Sequence, residues 1–435
     1  MAIVLLRRIF QRRLISELLL LVLAGGFIFS NSVSLGLVRD GYVGWRHLVG
    51  PLIWCLCIGV AFTAMNRWAP SRDPLLFPIL AFLIGWGIIL QDRLAPGFFW
   101  RHLIWAGLGF TAMTMVAIAP KNLKALKNYR YTWLIGGLLL LLATFAFGVN
   151  PSGFGPQLWL PVPLIPNVYF QPSELLKLLV IVFLAAFFDA RSGWLHIARH
   201  RNGLLETFPF LAPLFVMWGF CMLLLVMQQD LGAAVLFFVV FLSLLYLATG
   251  SRAYTFSGAA LLLVSGTIAY YAFSLVRLRI DSWWNPWPEA ADRAYQIVQS
   301  LYAISSGGFL GSGIYQGYPE YIPVVHSDFV FAAIGEEWGL VGTFAILFLF
   351  ASLAYRGLRL SAIARQAFYK YLCAGIIMTF SVQALLIMGG VVKLLPLTGV
   401  TLPFVSYGGS SLLVSCAMAG LLIFVSSEVR ESSPL

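Results

Sequence analysis

Charge is what this sequence has least of. Only 10% of its 435 residues are Asp, Glu, Lys or Arg, against about 25% in an ordinary soluble chain. Hydrophobic residues make up 60%, and mean hydropathy is +0.88. No water-soluble fold can bury that much apolar surface, which excludes soluble enzymes and soluble binding modules. Cysteine is scarce as well: Cys55, Cys57, Cys221, Cys373 and Cys416 all fall in apolar runs with no His or Cys partner at a ligand spacing. That argues against a disulfide framework and against a zinc site. There is no sustained internal repeat, low-complexity tract or hydrophilic insert of domain size, so the chain reads as one membrane domain.

What is there is an all-α polytopic pattern. Apolar runs recur near 18–38, 48–65, 75–91, 103–119, 132–149, 173–188, 207–227, 231–249, 254–275, 329–355, 371–392 and 404–425. A membrane helix takes about 20 residues, so about twelve spans are expected, with both termini on one side. The first run follows Arg7, Arg8, Arg12 and Arg13. It is too long for a signal peptide and lacks a small-x-small cleavage site, so it reads as an uncleaved anchor. The 28 Lys and Arg outnumber the 17 Asp and Glu, giving +11. Placing the N-terminus in the cytoplasm puts most of the bases inside, Lys121, Lys124, Arg199 and Arg201 among them. The excess is then a topology signal with no bearing on nucleic acid.

Two outer connections stand out. Residues 150–171 carry no charge but five prolines, which excludes a helix there. Residues 276–327 form the one long extracytoplasmic loop, dense in Trp and Tyr, as suits a segment at headgroup level or against a lipid-linked ligand. An interfacial belt with no ligand role accounts for the aromatics equally well.

Ionisable residues inside or beside spans are functional hypotheses by default. Glu174 and Lys177 follow Gln171-Pro172-Ser173, where Ser173 can cap the new helix. Three residues apart, they share one helix face. They either neutralise each other so that the helix inserts, or grip a polar ligand, with Lys177 suited to a phosphate or pyrophosphate. Asp230 reads as the N-cap of a tight turn. The densest cluster runs from Glu320 through His326-Ser327-Asp328 to Glu336-Glu337. A span starting at Asp328 and a short interfacial helix followed by a span from Trp338 both fit it. Asp328 is the best-placed general base toward a hydroxyl, with Glu320 and partial desolvation opposing the helix N-terminus that would weaken it. A helix cap is the plainer role for Asp328, and packing the plainer role for His326. Ser406 to Ser411, with Gly408-Gly409, leads into the last span, and such backbone can bind an anion at a helix N-terminus.

Gln171-Pro172-Ser173-Glu174, Gln229-Asp230-Leu231-Gly232, Tyr295-Gln296 with Gly307-Gly308, His326-Ser327-Asp328-Phe329, Gly335-Glu336-Glu337, and Leu402-Pro403-Phe404-Val405-Ser406-Tyr407-Gly408-Gly409-Ser410-Ser411 occur in the order of one family. The chain resembles the SEDS family, which holds RodA, FtsW and SpoVE. The resemblance covers about Gly153 to the C-terminus. It implies a ten-helix core at 150–435 with part of 1–149, the latter carrying two extra N-terminal helices.

The resemblance further implies a peptidoglycan glycosyltransferase in the bacterial cytoplasmic membrane, polymerising lipid II into a nascent glycan strand at the outer face. Undecaprenyl pyrophosphate would be released. Asp328 falls on the family's essential acid, with Ser327 in place of Thr, and Glu320 on an upstream acid of the same loop. Glu174 and Lys177 fall on the family's Glu and Lys after Gln-Pro-Ser. The substrate-binding set expected from this reading is Glu174, Lys177, Lys393, Arg277, Arg279, His326, Ser406 and Ser410, with Lys177, Lys393 or the pair Arg277 and Arg279 as the alternative cations for the pyrophosphate. A divalent cation, Mg or Mn, is an expected helper with no assigned ligands, and no organic cofactor is expected. The expected partners are membrane lipid and a class B penicillin-binding transpeptidase. Rival readings are a lipid II flippase and a non-catalytic scaffold for the transpeptidase.

Overall fold

The computed structural model describes residues 2–120, 122–151, 153, 156–163, 168–193 and 204–431, with side chains left out at 2–13, 204–210 and 431. Lys121, Arg199 and Arg201, assigned above to the inner side, and Pro166 of the proline-rich stretch lie outside the described residues. Besides a five-residue helix at Lys124–Asn128, the α-helices in chain order are α1 (Ala2–Asp40), α2 (Trp45–Trp68), α3 (Leu76–Leu94), α4 (Phe99–Ile118), α5 (Arg130–Phe147), α6 (Pro172–Ala190), α7 (Leu204–Met227), α8 (Leu231–Thr249), α9 (Arg252–Ala272), α10 (Ser274–Trp284), α11 (Tyr295–Gly307), α12 (Val330–Glu337), α13 (Gly339–Ile363), α14 (Ala367–Val391) and α15 (Gly409–Glu431). A two-stranded antiparallel hairpin, β1 (Leu160–Pro161) and β2 (Tyr169–Phe170), lies between α5 and α6.

The chain divides into two compact units. One comprises Met1–Pro120, Gln299–Arg356 and Thr401–Leu435; the other comprises Lys121–Val298 and Gly357–Val400. In the first, α3 is the central helix, buried at nearly every position from Leu76 to Arg93. α1 packs on α3, α2 on α4, and α15 lies along α4. Gly87 of α3 is where the 404–405 backbone passes: a Cβ there would stand 2.8 Å from the Val405 carbonyl oxygen and 2.9 Å from that of Phe404. In the second unit the buried helix is α6, which packs against α5 and α14, with α8 against α14 and touching α6 as well. Asp230 caps α8 by accepting from the Ala233 N–H, as its residue type foretold, and Gly250 ends it at φ +69°.

Ten helices among the described residues are long and apolar enough to cross a membrane, so this is a multi-pass membrane protein. Twelve spans were expected, and the difference falls on two helices. α6 carries Glu174, Lys177 and Asp189, and α7 has described side chains only from Leu211 onward. The apolar run at 329–355 resolves into two pieces. α12 ends at Glu337, Gly339 turns the chain at φ +62°, and the span is Gly339–Ile363. The loop expected at 276–327 is itself partly helical, because α10 and α11 occupy much of it.

Candidate active site

The end of α3 organises the first unit's polar cluster. Gln91 Nε2 donates to the His326 carbonyl at 3.1 Å. Two residues further on, Arg93 Nε donates to Glu337 Oε1 at 2.7 Å, while its Nη2 reaches Glu320 Oε2 and the Gly317 carbonyl, each at 3.1 Å. The guanidinium also lies over the Tyr315 ring, 4.4 Å from its centroid. One cation thus ties three points of the 315–337 segment to one helix end, using the planar fork that Lys lacks. Glu337 is fully buried and Glu320 half exposed, so the pair has a dry end and a wet end.

Backbone bonds close the segment over that anchor. Ser312 and Gly313 N–H groups donate to the Glu336 and Glu337 carbonyls, and Leu340 and Val341 donate back to Gly308 and Phe309. Glu336 Oε1 accepts from the Tyr318 N–H at 2.8 Å. Burial raises the Glu337 carboxyl to about 7 despite Arg93 beside it, and raises Glu336 as well.

The chain that carries Asp328 is held from a second direction. Ser406 Oγ donates to the Ser327 carbonyl at 2.6 Å, and the Tyr407 N–H donates to the His326 carbonyl at 2.9 Å. With Gln91, this makes three hydrogen bonds on two consecutive carbonyls. The Ser327 hydroxyl donates to Asp328 Oδ1 at 2.8 Å, and the carboxylate is half-buried ahead of α12. His326 packs against the rings of Phe98 and Tyr407, which also meet each other, and burial lowers its pKa, which favours the neutral imidazole. The Arg101 guanidinium lies near the Tyr407 hydroxyl. Ser410 is buried in the first turn of α15.

The second unit holds the remaining expected site residues. Lys177 pairs with Glu174 at 2.6 Å, as the spacing of three requires, and its ammonium also donates to Gln383 Oε1 of α14 at 3.2 Å. Ser173 does not cap α6. Its hydroxyl donates to Asp230 at 2.9 Å, so one carboxylate both caps α8 and holds the start of α6. Burial raises the pKa of Asp230. Lys393 stands at φ +60°, with its carbonyl accepting from Trp283 Nε1 at 3.2 Å. Arg279 donates to the Thr398 carbonyl at 3.0 Å, so α10 pins the 393–398 stretch twice. Arg277 turns the other way and donates to the Tyr270 and Tyr271 carbonyls at the end of α9.

Left-handed backbone at non-glycine residues is costly, about 1–3 kcal/mol each, and clusters where function overrides ease of folding. Here it occurs at Gln229, Tyr315, Val324, Lys393 and Phe404. Tyr315, Val324 and Phe404 belong to the segments around Asp328 and Arg93, while Gln229 and Lys393 flank the second unit's cluster. Sequence reasoning missed Gln91, Arg93 and Arg101. The first two ended an apolar run as Gln-Asp-Arg, the signal that ionisable residues at membrane depth provide.

These elements match a known pattern of chain. A family model described as cell cycle protein, covering FtsW, RodA and SpoVE, matches residues 80–431. The chain belongs to this family. Among curated relatives, peptidoglycan glycosyltransferase RodA of Mycobacterium bovis is 34% identical over 430 residues, covering 96% of this chain and 91% of that protein. A probable peptidoglycan glycosyltransferase FtsW of Geobacter sulfurreducens is 33% identical over 351 residues, covering 79% and 89%. Two solved structures share the FtsW/RodA/SpoVE fold. One is a chain from a peptidoglycan synthase complex coordinating polymerization and crosslinking, with TM-score 0.69, 24% identity and coverage of 83% of this chain and 99% of that one. The other is the rod shape determining protein RodA of Thermus thermophilus, with TM-score 0.58, 24% identity and coverage of 82% and 96%. Both α1 and α2 lie ahead of the region the family model matches.

Proposed function

We propose that this protein is a peptidoglycan glycosyltransferase that polymerises lipid II into glycan strands at the outer face of the cytoplasmic membrane, with both termini in the cytoplasm. The observation that carries the reading is the placement of Asp328. In a chain of this family, it is a half-buried carboxylate on a segment held by three hydrogen bonds from Gln91, Ser406 and Tyr407. Preorganisation of this kind is what a general base needs, since its efficiency depends on reaching one proton in one geometry.

In the proposed step Asp328 takes the proton from the 4-hydroxyl of the acceptor GlcNAc. The oxygen forms its bond to the anomeric carbon of the donor MurNAc, and the bond from that carbon to undecaprenyl pyrophosphate breaks with inversion. Glu320, the wet end of the Arg93 bridge, assists on the acceptor side. Lys177, Lys393, Arg277 and Arg279 are assigned to the anionic pyrophosphate, and Glu174 sets the position of Lys177. Ser410 supplies a donor at the start of α15, Ser406 acts on the substrate side through the Asp328 segment, its hydroxyl being given to the Ser327 carbonyl, and His326 shapes the acceptor side as a neutral ring. Among the described residues no three His, Cys, Asp or Glu side chains converge as a metal ligand set, and Glu320 and Glu337 are engaged by Arg93, so no step is derived through a divalent cation. A class B penicillin-binding transpeptidase is the proposed partner, in keeping with the crosslinking complex that shares the fold.

The test is purified protein with lipid II, alone and with its matched transpeptidase, resolved as glycan chains and paralleled by translocation in vesicles. Polymer is the expected result. Translocation of lipid II without polymer would make the protein a flippase, and neither activity would leave a scaffold.

A further inference from the structure

We propose that α1 is a positioning element for the Arg93–Glu337–Glu320 network, with Asn31 and Arg39 as the residues that act; the inference rests on the glycosyltransferase reading above. α1 precedes the region matched by the family model, and nothing in the proposed chemistry uses it. Its contacts nevertheless fall on both sides of one buried ion pair. Asn31 Oδ1 accepts from Trp338 Nε1 at 3.1 Å, and Trp338 is the residue after Glu337. Arg39 Nη1 donates to the Asp92 carbonyl at 3.5 Å and lies 3.9 Å from Asp92 Oδ1, and Asp92 is the residue before Arg93. Eight residues of helix separate the two grips by about 12 Å. A single rigid rod therefore holds the neighbour of the acid and the neighbour of the base in fixed relation.

The Asn31 contact is specific. The residue is buried, and its amide donates to the Phe27 carbonyl of its own helix while its oxygen serves Trp338, so both ends of the amide are engaged. An apolar residue would insert into lipid more easily, and a buried polar group is retained only where its partner repays the cost. Aromatic packing runs alongside: Phe27 meets Trp86 at 5.1 Å between centroids, and Trp86 meets Trp338 at 5.7 Å. Behind Trp338, Gly339 is stacked backbone to backbone on Gly311, so a shift of Trp338 is passed to the 311–321 segment that carries Glu320.

The role is positioning: neither Asn31 nor Arg39 has been placed in contact with substrate. The test uses the full chain in lipid nanodiscs with lipid II, comparing Asn31→Leu, Trp338→Phe and the double variant. A hydrogen bond worth about 1 kcal/mol in transition-state geometry lowers kcat about fivefold, with KM for lipid II within about twofold of wild type. The double variant is expected to be no worse than the poorer single, because the two changes remove the same bond. Hydrogen exchange gives a readout independent of turnover: residues 311–321 and 336–341 exchange faster in each variant, while 172–190 does not change. Should the wild type make no polymer, the glycosyltransferase reading fails and the exchange pattern alone decides the role of α1. Unchanged kcat with unchanged exchange in 311–321, or a double variant whose losses simply add, overturns the inference.

Discussion

The two units bury charge in different ways. In the first, one guanidinium on α3 serves two carboxylates that arrive from more than two hundred positions along the chain, Glu320 and Glu337. In the second, the Lys177 ammonium serves a carboxylate on its own helix three residues away and a neutral amide on α14. A local pair neutralises charge and lets a helix enter the membrane whatever the rest of the fold does. A long-range fork fixes tertiary geometry, because it is satisfied only when α3, the 315–321 segment and α12 meet at one point. The first arrangement fixes geometry at one point, and the second lets α6 carry a charge pair into the membrane; the proposed function places the chemistry with the first and the pyrophosphate with the second.

The comparison breaks first at Arg93. Replacing it with Leu leaves the buried Glu337 without its cation, and above neutral pH, where that acid is ionised, loss of one member of a buried pair costs about 3–5 kcal/mol. Unfolding in detergent is expected to show that loss, with much of it recovered by adding Glu337→Gln. The pH dependence comes next. Glu337 titrates near 7 in the fold against an ordinary 4.5, with Arg93, Glu336 and the Tyr315 N–H facing it. The folded state therefore binds that proton more tightly than the unfolded chain, and stability falls as pH rises from about 4.5 to 7, by up to about 3 kcal/mol. Glu337→Gln is expected to flatten that slope in equilibrium unfolding.

Lys177→Met is the matching change in the second unit. Glu174 keeps 12% of its side chain exposed where Glu337 is fully buried, so the expected stability loss is smaller, about 1–2 kcal/mol. Ser406→Ala removes one of three bonds on the Asp328 segment. It is expected to cost about 1 kcal/mol in the same unfolding measurement, with a fall in kcat that Ser406→Thr restores.

How much was legible beforehand follows the same division. Local features were readable, because the chemistry of a few neighbouring residues determines them: the Glu174–Lys177 pair, the Asp230 cap and the positions of most spans. Asp328 was singled out by residue type among its neighbours. The Arg93 fork was not readable, since nothing in Gln91-Asp92-Arg93 names a partner 244 residues later. The break between α12 and α13 stayed open because the run from Phe329 onward, interrupted by Glu336-Glu337, is apolar on either side of that pair, and the positive φ at Gly339 and its backbone contact with Gly311 decide it. Ser173 was read as a cap on propensity, but tertiary contact with Asp230 took its hydroxyl instead.

The account's central claim is that the first unit carries the chemistry and the second the anion. Steady-state polymerisation of lipid II by Asp328→Asn and by Lys177→Met, each shown to be folded, tests it most directly. The account predicts that Asp328→Asn lowers kcat by about a hundredfold or more with little change in KM, and that Lys177→Met chiefly raises KM. Polymerisation by Asp328→Asn within about threefold of wild type, or a loss confined to KM, would contradict it.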